Sequence, residues 1–548
     1  MDTIKLKQLS YILFLLALAI GCQTVKYPNF TQTGTSTKGM VSCGQPLATL
    51  AGTQMLEQGG NAVDAAVASA FALAVVEPSM NGIGGRMQAI VRLPNGDIHG
   101  IDGTTQAPMR YDTATSPPVR YGYGVIGIPG VVAGLTKLLE EHGSLPLEVV
   151  MKPAIKYAKK GFPILKGEAR RQASAKKLLR EFEGSRQYFL KDGRTYQAGE
   201  KWVQKDMGNT LELIAKGGRD AFYKGEIARK IVADFEANGG LLTMEDLANY
   251  EAKSSKVLHG TYRGYDIHGL WMPSFGAITI EIMNILENLP MANLQNADWA
   301  SVVAQAIDLA YQDRQKQRIP QTDSILNVLT SKSYAATLAN KIAINGSTET
   351  GYLEQDLPES WTAEMGHTTH LSVADENGMM VALTQTIGPN MGSKVATPGL
   401  GFLYAVTLGP YLGVYKAGER SASHVSPMII TKDGKPFMAL GAAGGSRIPT
   451  AIIAVISRVI DHKMSLPQAL AVSRVYHDGT LLHIENHEGS GWKSAYSEEL
   501  IQEGFEIKEV FDKARFGRVH AVLFDPIKQQ WIGCADPDWE GAVAGEIN

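Results

Sequence analysis

The segment from residue 45 to residue 78 is the part of the sequence that most constrains how this chain can fold. It reads QPLATLAGTQMLEQGGNAVDAAVASAFALAVVEP and contains two helical patterns joined at Gly59-Gly60. The second pattern is rich in alanine and apolar on nearly every side. Because a helix without a polar face must be enclosed by other elements, the sequence predicts a buried helix inside a large globular body.

The composition agrees with a globular protein and excludes several other classes. The chain has 548 residues, with 52 Lys or Arg against 55 Asp or Glu, so its formal net charge is -3. This balance leaves no basic excess for binding nucleic acid, and a hydrophobic content of 44% is far from that of a disordered chain. Three cysteines cannot build a disulfide scaffold or a four-thiolate zinc site. Length alone suggests several domains.

The first residues are typical of an export signal. Lys5 and Lys7 precede the apolar run ILFLLALAI, which ends at Gly21-Cys22 and is too short for a mature membrane-spanning helix. A small residue directly before a cysteine resembles a bacterial lipoprotein signal. We therefore expect a signal peptide over residues 1–21, lipidation of Cys22 and a polar tether over residues 22–37. The alternative is an ordinary signal peptide in which Cys22 is incidental.

This signal predicts an exported protein that a lipid anchor holds at a membrane, on the periplasmic or cell-surface side. Such a compartment permits disulfides, so Cys43 and Cys534 are candidates for pairing.

Helical and strand-like patterns divide the rest of the chain. Helical periodicity continues through residues 137–250, with a helix start at Thr243-Met244-Glu245-Asp246. From residue 367 onward the strand-like runs are HTTHLSVAD, MMVALTQTIG, SPMIITKDGKPFMALGA and HAVLFDP, separated by glycine-containing turns. Helices in the first two thirds and hairpins in the last third predict an α+β fold with layered packing.

One predicted hairpin brings threonines together. Two strand-like runs flank the turn at Glu376-Asn377-Gly378, so Thr368 can face Thr384 or Thr386 across the hairpin. Threonine is a common strand residue that usually packs, and spacing alone does not indicate catalysis. The glycine-rich stretch 441–447 also has two interpretations. It can be a simple turn, or its backbone N–H groups can bind an oxyanion.

Several long segments together resemble the gamma-glutamyltransferase (gamma-glutamyl transpeptidase) family of N-terminal-nucleophile hydrolases, over residues 38–548. The matching segments are GGNAVDAAVASAFALAVVEP, GIPGVVAG, DAFYKGEIARKIVADFEANGGLLTMEDL, YRGYDIHG, TTHLSV and GGSRI. The resemblance implies a four-layer αββα sandwich formed by two chains cut from one precursor. Autocleavage would fall between His367 and Thr368, giving a large subunit over residues 38–367 and a small catalytic subunit over residues 368–548.

The resemblance also implies roles for residues of the reaction centre. Thr368 would be the catalytic nucleophile, Thr386 would orient it, and Gly444 and Gly445 would bind the oxyanion through their backbone. The free α-amine of Thr368, with an ordinary pKa of about 7.7 to 8.0, can take the hydroxyl proton within the same residue. We therefore expect no cofactor. The substrate would be a small-molecule or peptide amide whose acyl group passes to water or to an amine.

The substrate pocket departs from the family pattern. Thr104 stands where typical members carry a carboxylate-binding arginine, and Thr407 lies in a run, 405–411, that lacks the usual polar anchors. Ser423-His424 replaces a serine pair, and Gly388 stands where an asparagine is usual. Charge-assisted hydrogen bonds contribute about 1.5 to 3 kcal/mol each, so losing them should weaken ordinary γ-glutamyl recognition.

Two residues are candidate replacements for these anchors. Arg86 occupies a position where the family usually has glycine, and it can bind an anionic group; the alternative is a solvated surface arginine. His424 can contribute too, or it can be a neutral packing histidine. The short link between Tyr411 and Arg420 leaves little room for a lid and suits longer or bulkier substrates. We expect no metal site at His367 and His370, because residues three apart in a strand point to opposite faces.

Three hypotheses for function follow. The first is a self-processing threonine amidohydrolase or acyltransferase acting on γ-glutamyl compounds such as glutathione. The second keeps the Thr368 chemistry with another acyl group, of the oxamate, cephalosporin or glutaryl, or poly-γ-glutamate type. The third is a non-catalytic, surface-anchored binding protein, against which the retention of Thr368, Thr386, Gly444 and Gly445 argues.

Overall fold

The structure, a computed structural model, describes residues 30–116, 119–316, 323–344, 346, 367–409, 412 and 415–545, with the side chains of 314–316 left out. The predicted signal peptide, Cys22 and most of the tether lie outside these ranges. Within them, none of the helices combines the length and the apolar character that crossing a membrane requires.

The helices fall into a long N-terminal series and a shorter C-terminal one. They are α1 (Pro46–Glu57), α2 (Ala62–Val76), α3 (Val131–His142), α4 (Leu147–Lys160), α5 (Lys166–Leu179), α6 (Glu183–Phe189), α7 (Lys205–Tyr223), α8 (Glu226–Ala237), α9 (Met244–Asn249), α10 (Gly276–Glu287), α11 (Asn296–Lys316), α12 (Asp323–Leu329), α13 (Lys332–Ala339), α14 (Arg447–Ile460), α15 (Leu466–Ala471) and α16 (Ser494–Gln502).

The strands occur throughout the chain. They are β1 (Thr33–Ser36), β2 (Met40–Cys43), β3 (Arg86–Arg92), β4 (Ile98–Gly103), β5 (Phe162–Pro163), β6 (Leu190–Lys191), β7 (Arg194–Thr195), β8 (Lys201–Trp202), β9 (Lys253–Ser255), β10 (Val257–Tyr262), β11 (Tyr265–Leu270), β12 (Thr369–Ala374), β13 (Met380–Thr386), β14 (Met428–Lys432), β15 (Lys435–Ala443), β16 (Val475–His477), β17 (Leu482–Glu485), β18 (Ile507–Val510), β19 (Arg518–Asp525), β20 (Gln530–Ala535) and β21 (Ala542–Gly545).

Two antiparallel sheets of seven strands each organise these elements. The first sheet has the strand order β21-β2-β12-β13-β3-β4-β9, and the second has the order β1-β20-β19-β15-β14-β11-β10. In both sheets, strands from before residue 367 pair directly with strands from after it, as β2 does with β12 and β1 with β20. Each sheet is therefore built from both halves of the chain.

Each sheet carries its own group of helices. Helix α1 packs on β2, and α2 packs on β12 and β13 of the first sheet. On the second sheet, α10 packs against β10 and β11, and α14 packs against β15 and β19. A separate core joins the two sheets, because it contains apolar side chains of both: Met40, Ile90, Ala374, Met380 and Ala382 from the first, and Leu270, Ile429, Ala439, Val522 and Trp531 from the second.

The helix α2 confirms the prediction from its apolar sequence. Every residue from Ala62 to Val76 is buried. Its N-terminus is closed by a capping box, in which the Asn61 side chain accepts hydrogen bonds from the first turn and Asp64 accepts one from the Asn61 backbone N–H. The predicted start at Thr243 is likewise a capping box with Asp246.

The division into a helical first part and a stranded last part is only partly correct. The first part supplies β2, β3, β4 and β9 to the first sheet and β1, β10 and β11 to the second. Strands β2 and β3 are buried along their whole length, and neither alternates apolar and polar residues from end to end as a half-exposed strand does. The mixed α/β architecture is confirmed, but its strands were under-predicted.

The candidate disulfide is wrong. Cys43 and Cys534 are both buried free thiols. They lie in different sheets, where Cys43 is the register partner of Leu371 and Cys534 is the partner of Ala521. Burial raises the pKa of each thiol to about 12.

Candidate active site

The hairpin of β12 and β13 positions the predicted nucleophile. Its register pairs His370 with Thr384 and Thr369 with Gln385, which places Thr368 opposite Thr386. The turn contains Gly378 with φ 78°, a left-handed conformation that suits glycine. Of the two threonines that sequence reasoning left open as partners of Thr368, the structure selects Thr386.

A chain of hydroxyl groups lies at the end of this hairpin. The Thr368 hydroxyl donates to Oγ1 of Thr386 at 3.2 Å, and Thr386 donates in turn to the carbonyl oxygen of His367 at 2.8 Å. The N–H of Gly388 donates to the same Thr386 oxygen at 2.9 Å. Thr386 therefore contacts both the Thr368 hydroxyl and the carbonyl of the peptide bond that precedes Thr368.

The carbonyl of Thr368 has a cationic neighbour. Nη2 of Arg518, the first residue of β19, lies 3.5 Å from the Thr368 carbonyl oxygen. The guanidinium of Arg518 also stacks on the Trp539 ring, 4.1 Å from its centroid. Sequence reasoning did not single out either residue, because both reach the hairpin from distant parts of the chain.

The two predicted oxyanion glycines lie between β15 and α14. Gly444 has φ 152° and Gly445 has φ 63°. A Cβ atom added to Gly444 would lie 2.9 Å from the Cα of Gly517, so this close backbone contact requires a glycine. Because Ala443 is the register partner of Arg518, the glycine turn begins beside the residue that contacts Thr368.

Arg86 lies beside the hydroxyl chain. It is the first residue of β3, where it is the register partner of Thr386, and only 3% of its surface is exposed. Its Nη1 donates to the carbonyl oxygen of Val406 at 2.8 Å. Arg86 is therefore a buried arginine next to the reaction centre, and the alternative of a solvated surface arginine is excluded.

The other predicted substrate-binding residues lie on connected backbone segments. The segments 104–107, 125–128, 405–408 and 419–421 are joined by backbone bridges between Gln106 and Ile128, Gln106 and Arg420, and Ile126 and Val406. Thr104 is buried, and its hydroxyl donates to the Asp102 carboxylate. Thr407 is buried as well, with its N–H donating to Val125 at 2.8 Å.

Ser423 and His424 follow the last of these segments. The Ser423 N–H donates to the carbonyl of Pro273 at 3.0 Å, and the His424 ring packs 4.6 Å from the Phe275 ring, centroid to centroid. The structure thus joins Thr104, Thr407 and Arg86 through one network of backbone contacts, and it places Ser423 and His424 beside residues 273–275.

One of the two histidines near Thr368 has both ring nitrogens occupied by hydrogen bonds. His370 is buried, with Nδ1 bonded to Thr384 at 2.8 Å and Nε2 bonded to Ser372 at 2.9 Å. Elsewhere in the described residues, Glu485, His487 and Asp538 come close enough to hold a cation. That position is already served by Arg474, whose guanidinium bonds Glu485 at 2.9 Å and Asp538 at 2.9 Å.

Comparison with known proteins identifies the family. The sequence model described as gamma-glutamyltranspeptidase matches residues 48–546. The "Glutathione hydrolase proenzyme" of Escherichia coli (strain K12) is 34% identical over 475 residues, which is 80% of this chain and 81% of that protein. The "Acylase ACY 1 proenzyme" of Pseudomonas sp. (strain SE83) is 33% identical over 522 residues, 89% of this chain and 90% of the relative.

A solved structure agrees with these sequence relationships. Cephalosporin acylase from Bacillus halodurans superposes with a TM-score of 0.85 at 27% identity, covering 96% of this chain and 99% of that one. The described fold and the threonine hairpin define an enzyme of the N-terminal-nucleophile type. The chain belongs to the gamma-glutamyltranspeptidase family.

Proposed function

We propose that this protein cuts its own chain before Thr368 and then uses Thr368 to transfer the acyl group of γ-glutamyl amides, such as glutathione, to water or to an amine. The observation that carries the proposal is the position of Thr386, whose hydroxyl contacts both Oγ1 of Thr368 and the His367 carbonyl oxygen. A family relative that is a glutathione hydrolase proenzyme supports the same reaction.

Self-cleavage begins at the His367–Thr368 peptide bond. Oγ1 of Thr368 bonds to the His367 carbonyl carbon while the bond to the Thr368 nitrogen breaks, and the hydroxyl proton moves to that nitrogen. The hydrogen bond from Thr386 to the His367 oxygen stabilises the negative charge that develops there. Water then hydrolyses the ester, which leaves a carboxylate on His367 and a free α-amine on Thr368.

The new α-amine acts as the base in the second reaction. It takes the Thr368 hydroxyl proton as Oγ1 attacks the substrate carbonyl, and the protonated leaving amine departs from the tetrahedral intermediate. In this mechanism Gly444 and Gly445 donate their N–H groups to the oxyanion, a contribution worth about 100- to 1000-fold in rate per donor. Water or an acceptor amine then removes the acyl group from Thr368.

A second candidate keeps this chemistry and changes the acyl group. Thr104 and Thr407 are buried and uncharged, and the Thr104 hydroxyl is already bonded to Asp102. A pocket with these residues favours an acyl group that lacks an α-amino acid head. The similarity to cephalosporin acylase and to Acylase ACY 1 supports this alternative.

The architecture that accompanies this function is a four-layer αββα sandwich of two chains, residues 38–367 and 368–548. Support comes from the two sheets, the core between them and the helices that pack on each sheet. We also propose that Cys22 carries a lipid that anchors the protein to a membrane outside the cytoplasm. Labelling cells with radioactive palmitate tests this: the label should enter the wild-type protein and be absent from Cys22→Ser.

The central experiment is denaturing electrophoresis of the purified protein with N-terminal sequencing of its fragments. Two fragments are expected, one beginning at Thr368, and Thr368→Ala should remain a single chain. An uncut wild-type chain, or continued cleavage in Thr368→Ala, would contradict the mechanism. A panel of γ-glutamyl-anilide, glutathione, oxamate, glutaryl amides and cephalosporin-type amides then separates the two candidate acyl groups.

A further inference from the structure

A buried carboxyl group, that of Glu77, lies behind the nucleophile and takes no part in the reaction described above. Glu77 follows the last residue of α2, and 2% of its surface is exposed. A carboxylate at such a depth is costly unless cations and hydrogen-bond donors face it. The surroundings of Glu77 supply both.

Three separate segments converge on Glu77. Nε1 of Trp539 donates to Oε1 at 3.3 Å, and Nη2 of Arg171 lies 3.8 Å from the same oxygen. The Trp539 ring lies between the two arginine contacts, with the Arg171 guanidinium 4.6 Å and the Arg518 guanidinium 4.1 Å from its centroid. Glu77 is thus one of two carboxylates beside Arg171, and it shares the Trp539 ring with Arg518.

The second oxygen of Glu77 faces the strand that carries the nucleophile. A methyl group built on Gly44 would lie 2.8 Å from Oγ1 of Thr369, 3.4 Å from Nε2 of His520 and 3.8 Å from Oε2 of Glu77. These three polar atoms therefore surround one small space beside the backbone of Gly44. A larger residue than glycine would fill that space.

We propose that Glu77 is a positioning residue, which holds the backbone of the nucleophile in place through Thr369 on one side and Arg518 on the other. Thr369 is the next residue after Thr368, and Arg518 contacts the Thr368 carbonyl oxygen at 3.5 Å. Arg518 and Thr369 thus adjoin the peptide unit that directly follows the Cα atom of Thr368. This inference rests on the proposed role of Thr368.

The Glu77 carboxyl group gains or loses its proton near pH 7. Burial raises its pKa to about 7, against the opposing effects of Arg171, Thr369 and Arg518, while the neighbouring Glu168 adds to the increase. The carboxylate is therefore present above pH 7 and is lost as the pH falls through 7. Protonation removes a negative charge that attracts Arg171 and Arg518, so we expect the positioning effect of Glu77 to weaken on the acid side.

The neighbouring histidines, the Cys43 thiol and the Arg518 guanidinium do not change charge in the same range. Burial lowers the pKa of His520 to about 3, and the pKa values of His367 and His370 are well below the usual value. The Cys43 thiol stays protonated, because burial raises its pKa to about 12. Arg518 remains a cation with a pKa of about 10.

The uncut precursor is suited to testing the role of Glu77, because the Thr368 nitrogen is still part of a peptide bond and does not titrate. Precursor made by cell-free synthesis is followed by denaturing electrophoresis between about pH 5.5 and 8.5. Wild-type cleavage should accelerate as the pH rises through 7. Glu77→Gln should lose this dependence and cleave ~10- to 100-fold more slowly at pH 8, the range for a reacting group that is misplaced.

The matched control is Glu168→Gln. Glu168 is an equally buried carboxylate that bonds the same arginine, with Nη2 of Arg171 3.1 Å from its Oε2. Its hydrogen-bond partners are Ser79, Arg171 and Gln172, so it holds no contact to the hairpin. Because the charge of Glu168 raises the pKa of Glu77, Glu168→Gln should still cleave faster as the pH rises, with the midpoint of that rise at a lower pH than in the wild type.

Three results would overturn the inference: a wild-type rate that does not change between pH 6 and 8, an unchanged profile in Glu77→Gln, or equal losses in Glu77→Gln and Glu168→Gln. If circular dichroism shows that Glu77→Gln does not fold, the test uses Glu77→Asp and the wild-type pH profile instead. Glu77→Asp keeps a carboxylate and should retain part of the increase in cleavage rate as the pH rises through 7. Failure of the proposed function looks different, since the wild-type precursor would then not cleave at Thr368 at any pH.

Discussion

Thr386 donates its hydroxyl hydrogen to the carbonyl oxygen of His367 at a distance of 2.8 Å. The acceptor is the carbonyl that Thr368 attacks in the proposed self-cleavage, and the donor is the residue that also receives the Thr368 hydroxyl. Thr386 thus holds the Thr368 hydroxyl near the His367 carbonyl group and polarises that carbonyl.

Replacing Thr386 tests this arrangement. Thr386→Val keeps the shape of the side chain and removes the donor, so we expect precursor cleavage to slow by about 100- to 1000-fold. Thr386→Ser retains the hydroxyl and should cleave at a rate much closer to that of the wild-type chain. Electrophoretic time courses measure both rates, and equal rates in the Val and Ser variants would show that the hydroxyl is unimportant.

Arg86 tests how the pocket recognises anionic substrates. Arg86→Ala should raise KM for acidic amides by about 10- to 100-fold, the loss expected for a charge-assisted bond, while cleavage before Thr368 continues. Arg86→Lys keeps the charge and should recover part of the affinity. If KM is unchanged and only thermal stability falls, the role of Arg86 is confined to its bond with the Val406 carbonyl.

Gly441 tests the contact between the two sheets behind the nucleophile. A Cβ atom at Gly441 would lie 2.3 Å from Cε1 of His370, whose ring is held on both sides by hydrogen bonds. Gly441→Ala should therefore destabilise the protein by about 1–3 kcal/mol or more. The control is Gly82→Ala, where the nearest atom would be 3.7 Å away. Equal melting temperatures for the two variants would contradict the predicted clash.

The two buried thiols, those of Cys43 and Cys534, should be unreactive toward thiol reagents in the folded protein. Because the pKa of Cys43 and of Cys534 is about 12, neither forms a reactive thiolate at pH 8 in the folded protein. In a folded Cys22→Ser variant, we expect no thiol to react with a colorimetric thiol reagent. After the chain is unfolded in the absence of reductant, Cys43 and Cys534 should both react. Failure to detect thiols after unfolding would indicate a disulfide instead.

Much of the reaction centre was predictable because it depends on local patterns. The turn at Asn377-Gly378 and the period of two residues along a strand already place Thr368 near Thr384 or Thr386, and the register of the structure selects Thr386. The family resemblance then supplied Gly444 and Gly445. The buried helix α2 was predictable as well, since an apolar helix has only one stable environment.

The supporting cluster was not predictable in the same way. Glu77, Arg171, Arg518 and Trp539 come from four distant positions, and a single sequence does not reveal which of them meet. One signal was present, because Glu77 ends an otherwise apolar run, AVVEP, and a charged residue there needs a partner. The fully buried strands β2 and β3 were missed because neither alternates apolar and polar residues from end to end.

The interleaving of strands from both sides of residue 367 has a consequence for the lifetime of the protein. Folding of the precursor is a unimolecular process, whereas refolding after a cut at Thr368 would require two separate polypeptides to meet. Unfolding of the cut protein would then be difficult to reverse at low concentration, and its persistence would depend on the rate of unfolding rather than on an equilibrium. The chain would therefore have to fold before it is cut, because the two separate polypeptides would not readily assemble into the same architecture.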